Sequence, residues 1–161
     1  DNLAKLNYVE DSFPVRLIAL DSFKPNVGGG ELTKADFAWL KSKLEDNSER
    51  KPVVILVHQY TLPTGSGFFD AHQAPWYKEF NDIVAHHADT VKLVLCGHLH
   101  NSVSSQIGGL VPIISGFSTN WGEDILEPDK TEPNRDTSRP LAYLIHRITD
   151  GHVSSYTITV K

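Results

Sequence analysis

Two unbroken apolar runs constrain this chain more than any other feature. Val53-Val54-Ile55-Leu56-Val57 and Leu93-Val94-Leu95-Cys96 carry no polar alternation. A strand with one face in water alternates apolar and polar residues, so a run without alternation reads as a strand covered on both faces, as in a parallel sheet packed between layers. Val15 to Leu20 is a third short run, stopping at Asp21-Ser22. Helical patterns separate the three. Thr33 with Asp36 three residues later, ahead of Phe37, Leu40 and Leu44, has the form of a capping box opening an amphipathic helix, with Trp39 widening the apolar face and Asp46-Asn47-Ser48 as the exit. A second helix is predicted from about Pro75, with Trp76, Phe80, Ile83, Val84 and His87 on one stripe. Lys24 to Gly30 and Thr61 to Phe69 are Gly/Pro loops. Strand, helix, strand, helix, strand in this order predicts an α/β fold with a mostly parallel sheet.

The pattern changes after residue 100. Val103 to Ile107, Gly108-Gly109 and Val111 to Ser115 predict a hairpin, and Leu141 to Ile148 with Val153 to Val160 flank Asp150-Gly151, a second hairpin signal. Residues 120–140 are acidic, contain proline and lack periodicity, which predicts a long surface loop before the terminal hairpin at 141–160. The chain reads as half of a layered α/β sandwich, with parallel strands followed by antiparallel hairpins.

Composition sets outer limits. The 161 residues are 40% hydrophobic and 22% charged, enough for one domain with one good core. A formal net charge of -5 argues against a nucleic-acid polymer or an anionic membrane as partner. No apolar run reaches the length of a membrane span. The single cysteine, Cys96, is read as a small packed hydrophobe that fits a reducing compartment, so the expected location is the cytoplasm. The chain begins Asp1-Asn2 and has no methionine, from which an absent upstream part is expected.

The chemistry is expected where the apolar runs stop. The first delivers His58, and the second delivers Gly97, His98 and His100. In open α/β sheets the ligand crevice lies at the carboxyl ends of the strands. Gly97 lacks a Cβ at the point where the backbone bends or admits a neighbour, and two residues apart in extended backbone places His98 and His100 on one side. Three neutral imidazoles converging from neighbouring strands predict a metal centre. Gly97 and Asn101 are candidates for substrate contact. His86, His87, His146 and His152 are read as structural or solvated. Asp21 and Ser22 are read as structural.

Taken in order, IALDS, GGELTKADFAWLKSKL, VILVHQYTLPTG and LVLCGHLHNSVSSQIGGLVPIISG resemble the carboxyl-terminal half of the calcineurin-like metallophosphoesterases, with the bacterial class III cyclic-nucleotide phosphodiesterases the nearest branch in appearance. The resemblance covers roughly Val15 to Ser118. It implies part of an αββα sandwich and a phosphoric ester hydrolase with two divalent transition metals, Fe, Mn or Zn. Carried over by position, His58 and His98 would ligate one metal and His100 the other, with metal-activated water attacking phosphorus. The implied substrate is a small phosphodiester such as a cyclic nucleotide. A phosphomonoesterase of the same family, or a non-catalytic metal-binding fragment, are the alternatives.

The sequence also departs from that family. Its amino-terminal Asp-x-His, Gly-Asp and Gly-Asn-His ligand motifs are not found here at the ends of strands. Asp70-Ala71-His72 spells Asp-x-His but follows GSGFF in a loop and is not read as a ligand pair. Gln59 stands where many members carry a second histidine. The whole of 1–161 is therefore expected to be the carboxyl-terminal portion of one domain. It should be inactive alone, and it needs a missing half or self-association along exposed parallel-strand edges.

Overall fold

The computed structural model describes residues 6–27, 29–65, 70, 73–99, 102–116, 122–123, 135–136, 142–149 and 152–159. In chain order these form β1 (Tyr8–Glu10), β2 (Arg16–Leu20), α1 (Lys34–Glu45), β3 (Val53–Val57), α2 (Trp76–His86), β4 (Val91–Cys96), β5 (Val103–Ile107) and β6 (Val111–Ser115). There follow β7 (Gly122–Glu123), β8 (Arg135–Asp136), β9 (Ala142–Thr149) and β10 (His152–Thr159). The main sheet has the order β1-β2-β3-β4-β6-β5. Its four central strands run parallel, and β1 and β5 pair antiparallel at the edges. Parallel neighbours need crossovers, which α1 and α2 supply between β2, β3 and β4.

Alternation along the strands sorts the core onto two faces. Ile18, Ile55, Val57, Val94 and Ile113 meet Phe37, Leu40, Phe80 and Val84 of the two helices. Val54, Leu93 and Ile114 point the other way, with Leu17, Leu56 and Leu95 beside them, and Leu144, Ile148 and Val153 of the terminal hairpin pack there. This is why the strands lack polar positions: both faces are covered. Arg16, the one charge in the run from Val15 to Leu20, has its own task. It holds Asp11 through two hydrogen bonds of 2.8 and 2.7 Å and donates to the Lys43 and Asp46 carbonyls at the end of α1. Those carbonyls have no partner within the helix, so the guanidinium both caps it and complements its dipole.

The predicted capping box is present. The Asp36 amide donates to Thr33 Oγ1, and the Thr33 amide donates to the Asp36 carboxylate at 2.8 Å. The second helix has no side-chain cap and is held instead by its buried face of Trp76, Tyr77, Phe80, Ile83 and Val84. Its Trp76 indole N–H donates to the Gly29 and Gly30 carbonyls at 3.1 and 3.3 Å, tying α2 to the loop before α1.

Two expectations change. The parallel strands do not lie at the sheet edges, because three-residue β1 and polar-faced β5 flank them. Within 120–140, read as one long loop, the described residues of β7 and β8 form a two-residue antiparallel pair; the rest of that stretch lies outside the described residues. The terminal hairpin pairs in register from Thr149–His152 to Ala142–Thr159.

Candidate metal centre

The β3 and β4 ends stand side by side at one end of the sheet. The Gly97 amide donates to the His58 carbonyl at 3.0 Å, so the residue after β3 and the residue after β4 are locked together. His58 is exposed and His98 half-buried. Their ring centroids lie 5.4 Å apart with the planes at 73°. With metal–nitrogen bonds of about 2.1 Å and a further ~1.1 Å from nitrogen to ring centre, two imidazoles on one tetrahedral ion stand roughly 5.2 Å apart. The observed spacing fits a shared ion. A Cβ added at Gly97 would meet His58 Nδ1 at 3.4 Å, so glycine leaves the His58 ring free of a methyl pressed against it.

The backbone at His98 is not extended. Its φ is +70°, and the Leu99 amide donates to the Gly97 carbonyl at 2.8 Å, which closes a three-residue turn with His98 at its apex. The positive-φ γ-turn is rare and strained. The extended backbone expected at His98 is therefore corrected: β4 has ended at Cys96, and a turn aims His98, while the side taken by His100 falls outside the described residues. Leu99 is only 1% exposed and packs in the helix-side core, so the residue between the two histidines anchors the turn. His100 and Asn101 lie outside the described residues.

Ser115, which the sequence did not mark as a site residue, supports this turn. Fully buried at the end of β6, it donates from Oγ to the Gly97 carbonyl at 3.0 Å, and the Gly116 amide donates to the Cys96 carbonyl at 3.2 Å. Gln59 and Ser22 are buried and hydrogen-bond to each other. For Ser115 the available signal was a polar residue directly after the apolar run Val111 to Ile114. Burial pushes the Cys96 thiol well above its ordinary range, so it packs as a neutral side chain.

Asp70 accepts from the Thr64 and Gly65 amides at 2.8 and 2.9 Å and from Thr64 Oγ1 at 3.0 Å, which makes it a loop cap. His72 lies outside the described residues. Asp21 accepts from the Leu6 and Phe23 amides. Among the described residues no group of three or more His, Cys, Asp or Glu side chains is placed to hold a metal; of the candidate ligands, His58 and His98 are brought side by side, and the His86 and His87 rings at the end of α2 stand 5.1 Å apart as well. Beside His58 lies a cleft of about 550 Å³, bounded by Leu20 and by the loop that follows β2.

No protein-family model matches the chain. It is 33% identical over 94 residues to the 3',5'-cyclic adenosine monophosphate phosphodiesterase CpdA of Escherichia coli strain K12, covering 58% of this chain and 34% of that protein. It is 30% identical over 101 residues to the glycerophosphodiester phosphodiesterase GpdQ of Enterobacter lignolyticus, covering 63% of this chain and 36% of that protein. The chain thus spans about a third of the length of these relatives. Its fold matches a dimetal phosphatase from Danio rerio with a TM-score of 0.60 at 15% identity, over 96% of this chain and 60% of that one. Sequence likeness to the phosphodiesterases across more than half the chain, and the dimetal-phosphatase fold across nearly all of it, fit a calcineurin-like metallophosphoesterase.

Proposed function

We propose that this chain is the carboxyl-terminal portion of a dinuclear metallophosphoesterase that hydrolyses a small phosphodiester. The observation that carries the reading is the His58–His98 pair, held at ligand spacing across two strand ends by the Gly97–His58 backbone bond. In this reading His58 and His98 hold one divalent metal and His100 the other, with Gly97 and Asn101 beside the substrate. Two metals of the Fe, Mn or Zn kind supply Lewis acidity toward a phosphoryl oxygen and make water nucleophilic at neutral pH. The chain's own part is to present neutral imidazole nitrogens on fixed backbone, so that little reorganisation is left to the moment of binding. The relatives are named for cyclic-nucleotide and glycerophosphodiester substrates, which favours a diester over a monoester. The remaining ligands would come from the part of the relatives' length that this chain does not span, so the chain alone is inactive in this reading.

The test is metal analysis of the full-length protein together with hydrolysis of bis(4-nitrophenyl) phosphate and 3',5'-cyclic AMP, with and without chelator. About two transition metals per chain and chelator-sensitive turnover are expected, and His98→Ala should abolish both. Activity that survives chelation, or a His98→Ala variant retaining full metal and turnover, would refute the assignment.

A further inference from the structure

The loop from β2 to α1 is a constructed wall beside His58. The Val27 amide donates to the Lys24 carbonyl at 3.2 Å, the Gly30 amide to the Val27 carbonyl at 2.9 Å, and the Glu31 amide to the Ser22 carbonyl at 2.9 Å. Lys24 and Glu31 pair at 2.7 Å across its base. Gly30 has φ +61°, and a Cβ there would collide with the Ser22 carbonyl oxygen and the Gln59 amide, so the loop closes onto the buried Ser22–Gln59 pair. On this braced segment two apolar side chains face water: Phe23 is 66% exposed and Val27 41%. Exposed apolar side chains are common on protein surfaces, and Leu6 and Leu110 are exposed here too, so it is the position of Phe23 and Val27 beside His58 that gives them a role. Both line the cleft that contains His58, and its volume of about 550 Å³ lies in the range of small-molecule sites.

We propose that this cleft is the subsite for the organic group of the phosphoester, that the group is a planar ring of the nucleobase kind, and that Phe23 is the residue on which it stacks. The substrate role rests on the function proposed above, because His58 joins the cleft to the metal. An aromatic face accepts any flat heterocycle by stacking and offers nothing comparable to a glycerol moiety, so Phe23 is a specificity-determining residue that favours ring-bearing esters. Gln59, in the place where a second histidine is common in the family, is a positioning residue: it holds Ser22 and the Gly30 closure, and through them the wall.

Two measurements on the full-length protein test this. Adenosine, a ring without phosphate, is titrated in an NMR or calorimetric experiment that needs no turnover. Saturable binding is expected, weakened about ten-fold by Phe23→Ala and restored by Phe23→Trp. In parallel, the kcat/KM ratio for 3',5'-cyclic AMP over glycerophosphocholine should fall about ten-fold in Phe23→Ala and recover in Phe23→Trp. No adenosine binding by the unsubstituted protein, or binding and ratio indifferent to Phe23→Ala, would overturn the subsite. If neither diester is hydrolysed, the proposed function falls, while the adenosine titration still decides for or against the ring-binding cleft.

Discussion

The strained turn at His98 makes a prediction that separates the ligand from its backbone. His98→Ala and His98→Gly both remove the imidazole, but only glycine removes the Cβ at φ +70°. For an L-residue that conformation costs about 1–2 kcal/mol, whereas glycine adopts it freely and loses roughly 0.5–1 kcal/mol more chain entropy on folding than alanine does. The packing of the lost ring is common to both variants and cancels. His98→Gly should therefore be more stable than His98→Ala by up to about 1.5 kcal/mol, with a midpoint of about 0.75 kcal/mol, or about 1.5–3 °C in Tm at that midpoint for a domain of roughly 150–250 residues. Paired thermal and urea denaturation of the chelated full-length protein would measure it. Both variants should lose turnover equally, by about a hundred-fold or more, because the nitrogen is gone in each. A His98→Gly protein no more stable than His98→Ala would refute the strained turn and, with it, the reading that the fold spends stability to aim this side chain.

Three further outcomes follow from named contacts. Leu99→Ala empties a site that is 1% exposed in the core and should cost about 2–5 kcal/mol, with metal content falling alongside; denaturation at unchanged metal content would show that Leu99 does not seat the turn. Gly30→Ala should destabilise through both its positive φ and the collision with Ser22, and should weaken adenosine binding along with it; wild-type melting and binding would show that the loop closes differently. Burial lowers the His146 pKa, so the folded protein takes up that proton less readily than the unfolded chain. Stability from this group is present above about pH 6.5 and declines as pH falls below it, toward the lower folded value. His146→Gln should accordingly lose less Tm than the unsubstituted protein between pH 7 and pH 5.5, and parallel curves would refute this.

What was legible in the sequence follows the strength of local signals. The strands at 53–57 and 103–115 and the capping box at Thr33 rest on runs of neighbouring residues, and all appear where the pattern put them. That His58 and His98 stand side by side was legible because an apolar run stops shortly before each. The geometry at His98 was not, since nothing in GHLH tells an extended exit from a turn; the choice is made by Leu99 seeking the core and by Ser115, sixteen residues beyond it, holding the Gly97 carbonyl. The Phe23 wall was hidden for a similar reason. A Gly/Pro-rich stretch reads as a loop by composition, and its bracing by Gln59 and Trp76 comes from elements distant in the chain. The antiparallel β1 edge was also missed, because a strand of three residues carries too little pattern to register.

The Leu99 anchor has a consequence for assembly. A turn that depends on one side chain entering the core cannot form before that core closes, so the unfolded chain offers a metal flexible histidines with no arrangement between them. Under the proposed function, metal capture at His98 would then be a late event in the maturation of the protein, and an ion bound there would act as a latch on the completed fold. Loosening the helix layer that receives Leu99 would release the ion while most of the secondary structure persists. Loss of metal would be an early sign of damage to the fold, ahead of any change in strand or helix content.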